Sequence, residues 1–231
     1  SLQSDPGNII RSSGTRIEAD FGATLVAEGT ADAPIVFTGR RDDRYGAGGT
    51  FDTNNDGGAS NPSAGDWSGL VARHLSNVSI DHALITHGGG ASSVAGGFAG
   101  FSAVEVHQSV ARIANSRFEV NQSGNLAGSG SRDGRGPNEP SVIFVLGSQP
   151  VIYGNTFLNN SVAGTAAISI NANAMTAVAM TDPGRQTGMT DRAPVGVGNV
   201  GPLIEGNSLL NNGLNGVRIR GEMLTTETIW D

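Results

Sequence analysis

The sequence predicts an all-β fold, specifically a right-handed parallel β-helix (solenoid) with long loop insertions. Three observations support this prediction: short apolar clusters between turn residues, an internal repeat, and a surface poor in charge. Hydrophobic residues make up 37% of the chain, charged residues 15%, and Gly occurs 35 times. This composition excludes a charged helix bundle and a disordered chain, and no segment has a sustained helical period. We expect residues 1–231 to form a single domain, a fragment of a longer chain.

An internal repeat carries most of the fold prediction. Segments 111–124, 150–164 and 202–216 share one pattern, in which Ile is followed by a large apolar residue, then Asn, then Gly. The aligned residues are Ile113, Ile152 and Ile204; Phe118, Phe157 and Leu209; Asn121, Asn160 and Asn212; and Gly124, Gly164 and Gly216. A weaker copy over 77–90 contains Ile80 and Ile85 at the same spacing.

The Ile anchors lie 33, 39 and 52 residues apart, and the excess length falls in the predicted loops 88–100, 125–139 and 174–201. Without these loops a coil of roughly 25 residues remains, the size of one turn of a β-solenoid. Stacked turns would bring equivalent Asn residues together. We therefore expect Asn160 and Asn212 to form a ladder or to cap turns, the alternative being Asn in solvated turns.

Loop 41–64 contains the feature with the clearest chemistry. Asp52, Asn54 and Asp56, followed by Gly57, match the first half of the D-x-[DN]-x-[DN]-G calcium pattern. Alternate residues can direct oxygens at one point, and the glycine lets the backbone carbonyl of Gly58 join them. The sequence therefore predicts a structural Ca²⁺ that makes this loop rigid.

The calcium pattern is incomplete, because Ser63 occupies the position of the bidentate Glu of an EF-hand and no flanking helices are predicted. Further ligands would have to come from other acids of the loop, and we name Asp43 and Asp66, with Asp42 also nearby. The alternative is a solvated, Asx-rich turn that binds no ion.

Charge and composition restrict the partners. The net charge is −7, the pI is near 5.0, and all 14 basic residues are scattered arginines, so we expect no nucleic-acid binding. No apolar run approaches the roughly 20 residues of a membrane helix, and we expect no membrane insertion. Cysteine is absent. The ends lack capping helices, which predicts self-association end to end or contact with the rest of a longer chain.

No catalytic constellation is predicted. The charged loop groups Arg132, Asp133, Arg135 and Glu139, and Asp182, Arg185, Asp191 and Arg192, are interpreted as solvated charges, and a Ser/His/Asp signature is missing. The four histidines are interpreted as ordinary surface or core residues. Asp81 and His82 are adjacent, and side chains of adjacent strand residues should point to opposite faces.

Several stretches together resemble a known group of proteins: GATLVAEGTADAPIVFT, DDRYGAGGTFDTNNDG, GDWSGL, NEPSVIFV, AAISINAN, DPGRQTG and LTTETIWD. Their succession is similar to the parallel β-helix regions of large, repetitive, secreted proteins of planctomycetes and similar environmental bacteria. The resemblance implies a β-helix, export to the cell surface or exterior, and a very large parent polypeptide. It implies no reaction. The matching positions in the loop are Asp52, Asn54 and Asp56.

Two functions remain open. The first is a non-catalytic extracellular structural or adhesive module, a component of a filament, surface layer or matrix. The second is a carbohydrate-active β-helix, either a polysaccharide lyase or glycoside hydrolase or a glycan binder, which would require carboxylates gathered in one groove. Convergence of Arg132, Glu139, Asp182 and Asp191 within about 6–10 Å would favour the second function.

Overall fold

A computed structural model describes residues 1–46, 49, 51–124, 139–176 and 201–224. In these residues the fold is all-β, and a short 3₁₀ turn, Ala172–Met175, follows one of the strands. Three parallel sheets of six strands contain most of the residues in strands. The fold class predicted from the sequence is confirmed at this level, since three long parallel sheets are compatible with a β-helix.

The strands enter the three sheets in rotation. Sheet A contains β1 (Leu2–Ser4), β4 (Thr24–Glu28), β7 (Asn77–Asp81), β12 (Val110–Ala114), β15 (Val151–Tyr153) and β18 (Leu203–Glu205). Sheet B contains β2 (Ile9–Ser12), β5 (Ile35–Gly39), β8 (Ala83–Thr86), β13 (Arg117–Glu119), β16 (Thr156–Leu158) and β19 (Ser208–Leu210). Sheet C contains β3 (Arg16–Ala19), β6 (Gly69–Ala72), β11 (Val104–His107), β14 (Ser141–Leu146), β17 (Ala166–Asn171) and β20 (Leu214–Arg220). We call each successive set of one A, one B and one C strand a rung.

The register of the strands confirms the repeat. Ile80, Ile113, Ile152 and Ile204 are consecutive partners in sheet A. Ile85, Phe118, Phe157 and Leu209 are consecutive partners in sheet B. Neighbouring strands lie about 4.8 Å apart, so each side chain packs on its equivalent in the next rung.

Apolar side chains that alternate along the strands form the core. Phe118 and Phe157 stack with their ring centroids 4.8 Å apart and their planes 9° from parallel, and neither ring is exposed. Burial of such a side chain stabilises the fold by roughly 1.5–3 kcal/mol. The aromatic content is low because each turn contributes one large residue to this position, filled elsewhere by Ile or Leu.

The corners between strands repeat a left-handed backbone conformation. Positive φ occurs at equivalent corners of successive rungs, where the chain must bend sharply. At the corner between sheets A and B these residues are His82, Asn115, Gly154 and Gly206. At the end of the B strands they are His87, Val120, Asn159 and Asn211, and between C and A they are Gly22, Leu75, Gln108 and Gly147. Asn and Gly adopt this conformation readily, which explains much of their abundance.

A buried asparagine ladder runs along the corner after sheet B. The side-chain oxygen of Asn160 accepts hydrogen bonds from the backbone N–H (2.9 Å) and the side-chain amide (3.1 Å) of Asn121. Asn212 accepts the same two bonds from Asn160, at 3.2 and 2.8 Å. At the last of these rungs, the side-chain oxygen of Asn215 accepts both donors of Asn212. The predicted laddering of Asn160 and Asn212 is therefore confirmed, and Asn215 caps the ladder.

A second ladder follows sheet A and was not predicted. Asn207 accepts from the backbone N–H and side-chain amide of Asn155, each at 3.0 Å. Asn155 in turn accepts from the backbone N–H of Ser116 at 2.9 Å. These residues follow the Ile anchors by the same step in each repeat, so the alignment contained the signal.

Two long insertions leave the rungs at the corner between the B strand and the C strand, whereas the predicted loops 125–139 and 174–201 lie mostly outside the described residues. Residues 40–66 leave after β5, and residues 87–103 leave after β8. The second insertion was predicted as a loop over 88–100, but it contains an antiparallel hairpin of β9 (Ala91–Val94) and β10 (Gly97–Gly100). Gly96 has φ of 83°, which permits the tight turn of the hairpin. The high glycine content of this segment had indicated a loop instead of two strands. Beside the hairpin, Phe101 packs on Val71, on the outer face of sheet C.

Candidate metal centre

Loop 40–66, which contains the predicted calcium ligands, is fixed to the outer face of sheet B by Arg11 of β2. The Arg11 guanidinium donates hydrogen bonds to the backbone oxygens of Asp42 (3.1 Å) and Tyr45 and to the hydroxyl of Thr53. Its Cζ also lies 5.2 Å from the ring centroid of Phe51. Arg11 therefore contacts both the first part of the loop, at Asp42 and Tyr45, and its second part, at Phe51 and Thr53.

Asp42 anchors the start of the loop from within the protein. Its fully buried carboxylate accepts two hydrogen bonds from the guanidinium of Arg44, at 2.8 and 2.9 Å, and one from the hydroxyl of Thr38, at 2.6 Å. Burial raises the pKa of Asp42, but the bonds from Arg44 and Thr38 outweigh it and hold the pKa below its usual value. The carboxylate of Asp42 is therefore engaged by Arg44 and Thr38. The carboxylate of the neighbouring Asp43 lies among the other acids of the loop.

Three of the predicted ligands come together. Asp43, Asp52 and Asp56 each offer a carboxylate oxygen, and these oxygens all lie within 4.8 Å of one another. Calcium–oxygen distances are 2.3–2.6 Å, so two ligands on opposite sides of one ion would be roughly 4.6–5.2 Å apart. The spacing of the carboxylates is therefore compatible with one shared Ca²⁺.

Two oxygens in this region have unsatisfied bonding capacity. Within the described residues, Oδ1 of Asp43 and Oδ1 of Asn54 are buried and have no hydrogen-bond partner. A buried acceptor without a donor is unfavourable, and a cation removes that deficit. These oxygens suit a hard cation, which prefers carboxylate and amide oxygens as ligands.

Asp56 is already held by several donors. Its carboxylate accepts from the backbone N–H groups of Gly58 (2.8 Å), Ala59 (3.0 Å) and Ser60 (3.0 Å), and from the Ser60 hydroxyl. The Ser60 hydroxyl makes the largest contribution to a lowered pKa of Asp56, followed by burial, which raises it, and then by the backbone bonds. Asp56 therefore stays ionised at neutral pH.

The remaining predicted ligands are placed differently. The side-chain amide nitrogen of Asn54 donates to Asp56 at 2.7 Å, so its nitrogen points at that carboxylate. Gly58 contributes its N–H to Asp56. Asp66 lies outside the group of three, because its carboxylate accepts from the N–H of Ser63 at 2.9 Å and lies 3.7 Å from Arg41. The structure thus brings together Asp43, Asp52 and Asp56, but not Asp66.

A solvent-open cavity of about 270 Å³ borders the group on one side. Its lining includes Asp43, Arg41, Arg44, Ser60 and Asn61. Such a cavity offers a path of entry for an ion and space for the waters that would complete six to eight ligands.

Elsewhere, the outer face of sheet C carries an ionisable pair that the sequence reasoning missed. Nε2 of His107 lies 2.7 Å from Oε2 of Glu105, and the Glu105 side chain is fully buried. The two residues are two positions apart on β11, so strand alternation places them on the same face, a signal present in AVEVH. His107 also packs on Phe144, with ring centroids 5.5 Å apart.

The prediction that Asp81 and His82 diverge was wrong. Nδ1 of His82 lies 2.7 Å from Oδ1 of Asp81 because His82, with φ of 44°, is in a left-handed corner and not in an extended strand. The geometry does not make a hydrogen bond, since Nδ1 of His82 has no hydrogen-bond partner in the described chain. Asp81 is bonded instead to Arg112 and Asn115.

The convergence expected of a carbohydrate-active enzyme falls mostly outside the described residues. Glu139 accepts a hydrogen bond from Arg218 at 2.8 Å. The other charged residues named from the two loops, which are Arg132, Asp133, Arg135, Asp182, Arg185, Asp191 and Arg192, lie outside the described residues.

Comparisons of the chain with protein-family models, with curated proteins and with solved structures found no match. In the described residues, no helix has the length and apolar character needed to cross a membrane.

Proposed function

We propose that this chain is a right-handed parallel β-helix that serves as a structural or adhesive module of an exported bacterial cell-surface or matrix protein. The carrying observation is the pairing of equivalent strands in three six-stranded parallel sheets, with side chains stacked rung upon rung and a single register shift between Ala166 and Ile168 in the described strands. Right-handedness follows from the strong preference of parallel β crossovers for that hand. The resemblance to secreted repetitive proteins supports the location.

Exposed apolar side chains on the rung of β18, β19 and β20 support a role in assembly. In β20, Val217 is 42% and Ile219 is 43% exposed, whereas their partners in β17, Ile168 and Ile170, are buried. Large apolar residues exposed in one layer favour association. We propose that another β-helical segment stacks on this rung, either from the same polypeptide or from a second copy.

The assembly role is tested by sedimentation velocity over a range of protein concentrations, together with electron microscopy of the same samples. Stacking of copies predicts a rise in sedimentation coefficient with concentration and end-to-end particles. Replacing Val217 and Ile219 by Thr should abolish that rise, because Thr keeps strand propensity but removes apolar surface. As a control, substitutions of exposed Thr residues elsewhere on the chain should leave the concentration dependence of the sedimentation coefficient unchanged. Strictly monomeric particles at every concentration would overturn stacking between copies.

We also propose that Ca²⁺ binds at Asp43, Asp52 and Asp56 and makes loop 40–66 rigid. The support is the convergence of three carboxylates, the two unsatisfied oxygens, and the open cavity beside them. Affinities of extracellular calcium modules are about 10⁻⁴–10⁻³ M. At 10 mM Ca²⁺ the free energy of unfolding should rise by roughly 1.4–2.7 kcal/mol by mass action.

Thermal unfolding with and without Ca²⁺, and calorimetric titration, test this site. Asp52→Asn should remove the Ca²⁺-dependent rise in Tm, because it removes one charge and one strong ligand from the group. Asp66→Asn is the matched control, since Asp66 belongs to the same loop but lies outside the group. Mg²⁺ should have little effect, because it demands a tighter octahedral site. A Tm unaffected by Ca²⁺ in the unsubstituted protein would refute the proposal.

A further inference from the structure

Arg220, at the end of β20, is a cation that forms no ion pair with any carboxylate of the described residues. Its guanidinium Cζ lies 4.4 Å from the centroid of the Phe144 ring, and Nη2 donates a long hydrogen bond of 3.5 Å to the backbone oxygen of Val145. Nε of Arg220 is buried and has no hydrogen-bond partner in the described chain. A guanidinium has five N–H donors, so most of the capacity of Arg220 is not used by the described residues.

The neighbouring arginine provides a contrast. Arg218, two residues earlier on the same face of β20, donates to Glu139 at 2.8 Å. Around Arg220, Oε1 of Glu222 accepts hydrogen bonds from the side-chain amide of Asn171 and from the N–H of Asn173, each at 2.6 Å. Burial lowers the pKa of Arg220, and the charges of Glu222 and Glu139 only partly offset that effect. The protein thus places a half-buried cation beside acids already engaged elsewhere.

Two further polar groups lie on the same strip of sheet C. Ser169 is fully buried and faces outward, because Ile168 and Ile170 on either side of it fill the core, and its hydroxyl has no partner in the described residues. His107 also packs on Phe144 and is fixed through Nε2 by Glu105. Its Nδ1 makes no hydrogen bond to any described residue. The cation of Arg220 and an imidazole nitrogen of His107 therefore share one face, whereas the Ser169 hydroxyl is buried and out of reach of a ligand.

From this arrangement we infer that the outer face of sheet C between β11 and β20 binds a glycan that carries carboxylates. Arg220 receives the carboxylate, and His107 receives a sugar hydroxyl. The inference deepens the adhesive role proposed above and rests on it only for its biological meaning. It does not depend on the calcium site or on stacking of copies.

The chemistry of the strip favours sparse carboxylates over a dense polyanion. A planar carboxylate matches the two-pronged donor geometry of a guanidinium. Among the described residues of this strip Arg220 is the one unpaired cation, and the charges of Glu139 and Glu222 act on it, so a ligand with one charge per repeat and many hydroxyls fits best. An acidic peptide offers the same carboxylate but few hydroxyls for the imidazole.

The test measures binding of a hexamer of galacturonic acid by calorimetry, in EDTA and again in Ca²⁺. We expect binding in both conditions, weakened at least tenfold in Arg220→Gln, because a charge-assisted hydrogen bond pair is lost. Arg218→Gln is the matched control on the same strand and should change the affinity less than threefold. A neutral maltohexaose of the same length should not bind.

Several outcomes would overturn the inference. These are absence of binding to the unsubstituted protein, equal losses in the two arginine variants, and binding seen only in Ca²⁺. If poly-L-glutamate binds as tightly as the uronate hexamer, the glycan inference is overturned and an acidic peptide becomes the ligand of this face. Both variants should keep the Ca²⁺-dependent rise in Tm and the sedimentation behaviour of the parent protein, so failure here is distinguishable from failure of the proposed function.

Discussion

Asn160 offers the sharpest test of how the rungs are held together. Its side chain makes four hydrogen bonds: it accepts two from Asn121 and donates to the oxygens of Phe118 (3.0 Å) and Asn212 (2.8 Å). The residue is fully buried. Asn160→Ala would remove all four bonds and would leave the N–H of Asn121 without its acceptor.

The expected loss of stability depends on which neighbouring groups keep a hydrogen bond after the substitution. The side-chain amide of Asn121 keeps a bond to the oxygen of Ile85 at 3.0 Å, and Oδ1 of Asn212 keeps the N–H of residue 160 at 3.2 Å. The main penalty is therefore one orphaned buried N–H, about 1–3 kcal/mol, with roughly 1 kcal/mol for each of one or two further net bonds. We expect Asn160→Ala to lower the free energy of unfolding by about 2–5 kcal/mol.

Urea denaturation of a graded series measures this loss. Asn212→Ala, at a half-buried rung, should cost less than Asn160→Ala, and Asn215→Ala, at the exposed cap, should cost less than about 1 kcal/mol. Asn8→Ala controls for removal of an exposed asparagine. Equal losses in the free energy of unfolding at positions 160 and 215 would refute the reasoning, because burial would then make no difference to the contribution of a ladder residue.

Three further predictions concern the corners, the core and pH. Leu75→Asn should raise the free energy of unfolding by about 1 kcal/mol, because Leu75 is 60% exposed and has φ of 59°, a conformation that Asn tolerates; an unchanged urea midpoint would contradict this. Phe118→Ala should lower it by about 3–5 kcal/mol through loss of the stack on Phe157, and a loss below 1 kcal/mol would show that the core collapses around the cavity. Burial lowers the pKa of His87 from 6.5, so the unfolded chain binds this proton more readily, and stability should fall as pH drops below about 6.5. His87→Asn should flatten the dependence of Tm on pH between 7 and 5, which thermal scans in a series of buffers would show.

Much of the fold was predictable from the sequence because each stacked rung requires the same kind of residue at the same position. Ile113, Ile152 and Ile204 fill one inner position, and their recurrence is visible as a pattern. The Asn ladder was predictable for the same reason, since each Asn completes the one before it. Features that occur in one rung only, such as the β9–β10 hairpin, leave no repeat to detect.

The candidate metal centre was predictable only in part. The spacing of Asp52 and Asp56 is local, so a sequence pattern could point to it. Whether Asp43 or Asp66 joins them depends on how Arg44 engages Asp42 and how Arg11 fixes the loop, contacts between residues that the pattern does not link. The environment of Arg220 was missed for a related reason, because a cation becomes conspicuous only when its neighbours are known to be occupied.

The corner between sheets B and C has a consequence for how such a protein can diversify. At this corner the chain crosses over in three residues between β19 and β20, yet after β5 it accommodates the whole of residues 40–66 with the sheets still in register. Closing a longer loop costs little, about 0.6 kcal/mol for each doubling of its length. New recognition segments can therefore be grafted at this edge, one per turn, while the stacked interior remains a constant scaffold. An engineered binder could use the same edge to display several loops at intervals fixed by the strand spacing.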